Sequence, residues 1–231
     1  MRLFNVRWVL LGISVLCGLA PLAMAQPLTS VWLGVNSSGV VDGVSYTDNN
    51  TQISVSADVQ LHHNIAVGGQ LHSAQPDAIR QRHRGFSAYL AYDKALGDTW
   101  LVGTSLTHRR FIDGAKNWNY SHVNTYIKHD SGVSVDMMYS PRYYATRFSA
   151  RQYSLSYVRE VGSHMYARTR ASHFELTSVL HYQYMDFALG MNVRRLNIEV
   201  GYHWVSDTLR PTPIGLVTSP KWQLRAMYLL F

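Results

Sequence analysis

Residues 51–61 read Thr-Gln-Ile-Ser-Val-Ser-Ala-Asp-Val-Gln-Leu. Successive side chains of a β-strand point to opposite faces, so Ile53, Val55, Ala57, Val59 and Leu61 share one face. Gln52, Ser54, Ser56, Asp58 and Gln60 share the other. The result is a ribbon with one oily side and one polar side. Two architectures use such ribbons: a soluble sandwich that packs its oily faces together, and a membrane barrel that turns them to lipid.

The pattern recurs along the chain. Ile65, Val67 and Leu71 oppose Gln70 and His72, and Phe86, Ala88, Leu90 and Tyr92 alternate with Ser87, Tyr89 and Asp93. Trp100, Val102 and Leu106 form the next apolar face, and Val123 and Ile127 alternate with His122 and Asn124. Val133, Val135, Met137 and Tyr139 oppose Ser134, Asp136 and Ser140, and Tyr153, Leu155 and Tyr157 oppose Gln152, Ser154 and Ser156. Leu196, Ile198, Val200, Tyr202 and Trp204 oppose Asn197, Glu199, Gly201 and His203. Alternation blurs over 164–174 and 179–192, where a bulge near Asp186 is expected. The first strand is expected over Ser30–Tyr46 and the last over Lys221–Phe231. About twelve strands of roughly 9–13 residues result, the length that tilted strands need to cross a bilayer.

Connections alternate between short and long. Short turns are expected near 62–64, 96–98, 129–132, 161–163 and 193–195, and longer loops at 75–83 and 207–220. Outer-membrane barrels show this asymmetry. An even strand count returns the chain to the side where it began, and the last residue is the aromatic Phe231. A terminal aromatic on a final strand is a feature by which outer-membrane barrels resemble one another, and in that class it forms part of the signal read by the barrel-insertion machinery.

Residues 1–25 have the form of a cleaved export signal. Arg2 and Arg7 precede an apolar run from Trp8 to about Leu22, and Ala23-Met24-Ala25 forms a cleavage site. Cleavage removes Cys17, the one cysteine, which excludes a disulfide scaffold and thiol chemistry. Residues 26–231 then form a single barrel domain. Loss of Arg2 and Arg7 lowers the basic count from 21 to 19 against 14 acids, leaving a net charge of +5. Export argues against nucleic acid as the basic chain's partner.

Ser37–Leu71 resembles the amino-terminal region of the outer-membrane porins called TorF-type, also known as the Gcw family of conserved hypothetical proteins. That family begins its barrel with a segment like S-D-Y-V-F-R-G-V-S-Q-T-D. Gly43-Val44-Ser45 and Thr47-Asp48 match it, as does the alternating strand that follows. Gly39 stands where the family has an aromatic, and Asp42 where it has an arginine. The resemblance covers about 35 residues and implies an outer-membrane barrel and a pore.

Together these features predict an all-β, transmembrane, antiparallel up-and-down barrel in the bacterial outer membrane, passing small solutes as a porin. If the apolar faces meet lipid, Gln52, Asp58, Gln60, Gln70, Asp93, Arg109, Asp136, Gln152, Glu199 and His203 line the lumen. Their signs are mixed. Eight-stranded barrels are filled by side chains and barrels of sixteen or more hold channels, so a twelve-stranded lumen is either open or plugged. A non-conducting barrel that binds partners through Gln75–His83 and Asp207–Pro220 is the competing reading.

Arg80, Arg82, Arg84, Arg110 and Lys116 fall at expected outer loops, and Arg142 and Arg147 flank another. Arginine pairs with phosphate through two parallel hydrogen bonds, so contact with lipopolysaccharide is expected there. Serines precede histidines at Ser121-His122, Ser163-His164 and Ser172-His173, but strand neighbours face opposite ways and cannot form a dyad directly. No nucleophile-elbow motif is present, and a lipid-modifying enzyme is the least favoured reading. None of the eleven histidines has metal-ligand spacing with carboxylates or cysteines. No metal or other cofactor is expected.

Overall fold

The computed structural model describes residues 29–37, 40–41, 44–45, 51–74, 83–112, 119–143, 146–177, 180–206 and 221–230. The proposed leader over 1–25, Arg80, Arg82, Lys116 and Phe231 lie outside these residues, as do 75–82 and 207–220.

In chain order the strands are β1 (Thr29–Asn36), β2 (Val40–Val41), β3 (Val44–Ser45), β4 (Gln52–His62), β5 (Ile65–Ala74), β6 (His83–Leu96) and β7 (Trp100–Phe111). They continue as β8 (Tyr120–His129), β9 (Val133–Arg142), β10 (Ala150–Glu160), β11 (Met165–Leu176), β12 (Leu180–Val193), β13 (Leu196–Val205) and β14 (Lys221–Leu229). β2 and β3 form a separate hairpin. The other twelve close into an antiparallel barrel, each strand paired with its neighbours in sequence and β1 closing against β14. Closure gives the ladder no free edge, as hydrocarbon requires.

Period-2 patterning sets which face each side chain takes. Leu90, Leu106, Leu155, Leu189 and Leu224 point outward and are each at least 51% exposed. In a water-soluble fold these residues would be the core. Here they form the outer wall, with outward rings near both ends of the strands. Tyr92, Trp100, Tyr157 and Tyr228 stand toward the short-turn end, and Tyr139, Tyr153, Trp204 and Trp222 toward the other. An apolar band between two aromatic girdles is the surface of a barrel embedded in a bilayer.

The strands are joined at one end by tight turns: His63-Asn64, 97–99, 130–132, 161–164 and Arg194-Arg195. Three of these turns contain a residue with positive φ, at Gly97 (66°), Gly132 (94°) and Arg194 (54°). At the opposite end most connections are longer, although only 177–179 separate β11 from β12.

Two expectations need correction. β1 ends at Asn36 rather than running to Tyr46. The bulge expected near Asp186 is absent: β12 keeps unbroken register with both neighbours through Asp186. Alternation blurs there because Leu180, Tyr182 and Tyr184, on the inner face, are themselves apolar. The register shifts lie instead between Gln60 and His62 and between Ser121 and Val123. Ser140, fully buried, spans the second one, its single hydroxyl proton shared between the carbonyl oxygens of Ser121 (2.7 Å) and Arg142 (2.8 Å).

Candidate solute lumen

The ten residues expected on the inner face stand, by strand alternation, on the face opposite the exposed leucines. What the structure adds is how these groups are held. They fall into two layers along the barrel axis.

The layer nearer the short turns is polar. Three times, a tyrosine lies across a glycine on the next strand and bonds a carboxylate on the strand beyond. Register places Asp58 of β4 beside Gly68 of β5 and Gly68 beside Tyr89 of β6. The Tyr89 hydroxyl donates to Asp58. Asp93 of β6, Gly103 of β7 and Tyr126 of β8 repeat the arrangement, with Tyr126 donating to Asp93. Tyr166 of β11, Gly190 of β12 and Glu199 of β13 form the third, with an O–O distance of 3.1 Å. A Cβ on any of these glycines would collide with the tyrosine ring above it. The ring can lie flat on the wall only where the strand beneath has no side chain.

Glu199 has a second partner, and the other inward acids among the described residues, Asp136 and Asp186, are also partnered. Arg168 bonds Glu199 at 2.8 Å and Arg170 bonds Asp136 at 2.9 Å. Arg170 also donates to the Ser154 hydroxyl at 3.0 Å, and Ser172 donates to the same oxygen at 2.9 Å. Asp186 sits 2.6 Å from Nδ1 of His203. Yet the layer is not sealed. The side chains of Arg168 and Arg170 remain 32% and 30% accessible, and inward-facing Lys128 and Arg225 are exposed. Accessible cations inside a closed wall require water in the lumen, because an ion without water or a full set of partners is too costly to hold there.

The layer at the opposite end is aromatic. Phe111, Tyr120, Met138, Tyr143, Ala150, Phe174, Leu176, Tyr182, Tyr184 and Val205 form one buried cluster on the inner side of β7–β13. Its rings make a continuous ladder: Tyr120–Tyr143 at 5.0 Å, Tyr143–Phe174 at 5.2 Å, Phe174–Tyr182 at 5.0 Å, Tyr182–Tyr184 at 6.2 Å and Tyr184–His203 at 5.5 Å. These spacings are those of favourable aromatic pairs. Arg109 lies over Tyr120, 5.9 Å from its centroid. Gln152 and His203, expected to face lumen water, are instead buried in or beside this layer. The chain therefore has its hydrophobic core inside the barrel, at one end, where the sequence pattern predicts a polar face throughout.

Ser121 and His122 do face opposite ways, as do Ser172 and His173. A serine–histidine contact missed by reading along the strand forms across it: His108 Nδ1 lies 2.8 Å from the Ser121 hydroxyl on the outer wall. Among the described residues no third group is bonded to His108 to orient it, and no cluster of three potential metal ligands forms.

No family model matches the chain, and no curated protein does. Its fold is similar to solved outer-membrane barrels. The NanC porin matches with a TM-score of 0.58 at 9% identity, over 88% of this chain and 100% of the other. The KdgM porin matches with a TM-score of 0.56 at 8% identity, over 87% and 98%. A structure of the KdgM porin in complex with disordered oligogalacturonate matches with a TM-score of 0.54 at 8% identity, over 87% and 98%. At these identities the likeness is one of fold.

Proposed function

We propose that this protein is a small-solute porin of the outer membrane, with a hydrated polar lumen narrowed at its outer end by the aromatic layer. The observation that carries the reading is the accessibility of Arg168, Arg170, Lys128 and Arg225 inside a closed wall. A barrel plugged throughout would bury them. The buried aromatic cluster favours the competing reading, a non-conducting barrel with a structural or partner-binding role, because it occupies much of one end. Arg168 and Arg170 offer guanidinium donors to a passing carboxylate or phosphate. The complex of the KdgM porin with oligogalacturonate makes carboxylated sugars the first solutes to test.

Further parts of this reading are an export leader over residues 1–25, insertion machinery recognising Phe231, and membership of the TorF-type porins. On the same reading, arginines at the outer rim meet lipopolysaccharide.

The test is single-channel conductance of the refolded mature protein in a planar bilayer, after heat-modifiable gel migration has shown that it is folded. Discrete steps are expected. A silent bilayer from folded protein overturns the porin and leaves the structural barrel.

A further inference from the structure

The outer wall is not uniform. On β7–β13 it carries a shallow, open depression of about 750 Å³, whose outward-facing lining includes Met137, Tyr153, Leu155, Ala171, Met185 and Trp204 and whose floor reaches the strand positions of Asp136, Ser154 and Ser172. Small Ala171 forms part of the floor between larger neighbours on β10 and β12. The rim above this face is basic. Arg84 and Arg110 are exposed on the outward faces of β6 and β7. Arg142 stands opposite Ser121, whose hydroxyl faces out toward His108, and Arg151 stands opposite outward-facing Tyr139.

Arg151, Tyr153 and Leu155 descend one face of β10, so a guanidinium sits directly above the concavity. From Arg151 to Leu155 the strand rises roughly 13 Å. The side chains of Arg142 and Arg151 make no hydrogen bond or ion pair among the described residues. Glu175, the one acid of that rim facing outward among the described residues, stands directly opposite Arg151 in the β10–β11 register and is bonded to His173 at 3.0 Å. The opposite rim shows no such excess: Lys94, Arg159, Arg194 and Arg195 mix with Asp98, Asp130 and Glu160.

We propose that this face is a binding site for lipopolysaccharide, with the lipid phosphates on Arg142 and Arg151 and acyl chains in the concavity below. Both halves of an amphiphile are matched on the same strands, cations at the rim and an apolar hollow beneath. Arginines spread from β6 to β9 and β10 suit a headgroup carrying more than one phosphate. The broad hollow suits a lipid with several chains better than a two-chain glycerophospholipid. A phosphate between Arg142 and Arg151 accepts two charge-assisted bonds from each guanidinium. The proposal deepens the outer-membrane reading and rests on it, but not on conduction.

The test uses refolded mature protein in detergent. The temperature at which its folded gel band is lost is measured with lipopolysaccharide, with phosphatidylglycerol and with neither, and conductance is recorded on the same preparations. Lipopolysaccharide raises the midpoint by several degrees and phosphatidylglycerol does not. R142S/R151S abolishes the rise, as does Ala171→Trp, which fills the hollow, while both keep the conductance of the parent. Equal rises with the two lipids, or an undiminished rise in R142S/R151S, overturn the proposal. So does size-exclusion behaviour in which Ala171→Trp converts a dimer to a monomer, since the hollow would then hold a second copy. A lipid shift without conductance sinks the porin and leaves this site standing.

Discussion

Replacing Gly103 by alanine isolates the device that holds the lumen carboxylates. A Cβ at Gly103 would lie 2.5 Å from Cζ and 2.6 Å from the hydroxyl oxygen of Tyr126, and would also press on Asp93. Carbon atoms in good contact lie about 3.5–4.0 Å apart, so the ring must lift by about 1 Å. It cannot do so and keep its bond to Asp93. Overpacking of this kind costs about 1–3 kcal/mol. Alanine in place of strand glycine returns roughly 0.5–1 kcal/mol through chain entropy. The net expectation is a loss of about 1–2 kcal/mol in urea unfolding of the protein in lipid vesicles, together with a smaller conductance as the ring tips into the lumen. The partner variant is Tyr126→Ser, which removes the ring. If the ring is the cause, Gly103→Ala should cost little in the Tyr126→Ser background, and the two changes should be strongly non-additive. Additive losses, or a Gly103→Ala variant as stable as the parent, would refute the reasoning and reduce the tyrosine–glycine–carboxylate alignment to coincidence of register.

Other outcomes follow from the same geometry. Gly132→Ala should destabilise more than Gly97→Ala in the same unfolding assay, because Gly132 combines a φ of 94° with contact against the Val158 backbone, whereas a Cβ on Gly97 meets nothing within 4 Å. Ser140→Ala should cost about 1–3 kcal/mol, measured the same way, since the fully buried hydroxyl that bridges the Ser121 and Arg142 carbonyls is lost. Replacing Arg168 and Arg170 together by glutamine leaves Glu199 and Asp136 without their cations, and should shift the reversal potential in a salt gradient toward cation preference.

Much of the fold is legible in the chain because a strand's period is 2. The stretch from Gln52 to Leu61 already separates an apolar face from a polar one, and an even number of such stretches with short turns on one side gives an up-and-down barrel. That the ten expected lumen residues stand opposite the leucine face follows from that alternation alone. The aromatic layer does not, because Tyr182, Tyr184 and Phe174 spoil the very contrast on which the reading depends. Nothing in the sequence says that an apolar side chain at an inward position has other inward apolar side chains to meet.

Sequence by itself determined the face on which each residue stands, since that depends only on counting along one strand. Tertiary structure decided which residues meet. Asp58, Gly68 and Tyr89 stand on three different strands, and only the register of both pairings aligns them. The same holds for the rim arginines: each is visible as a charge in the chain, but their gathering above one hollow arises from the pairing of the strands that carry them. A one-residue slip in any pairing would leave every local pattern intact and dissolve both sites, because register is a property of two strands and not of one.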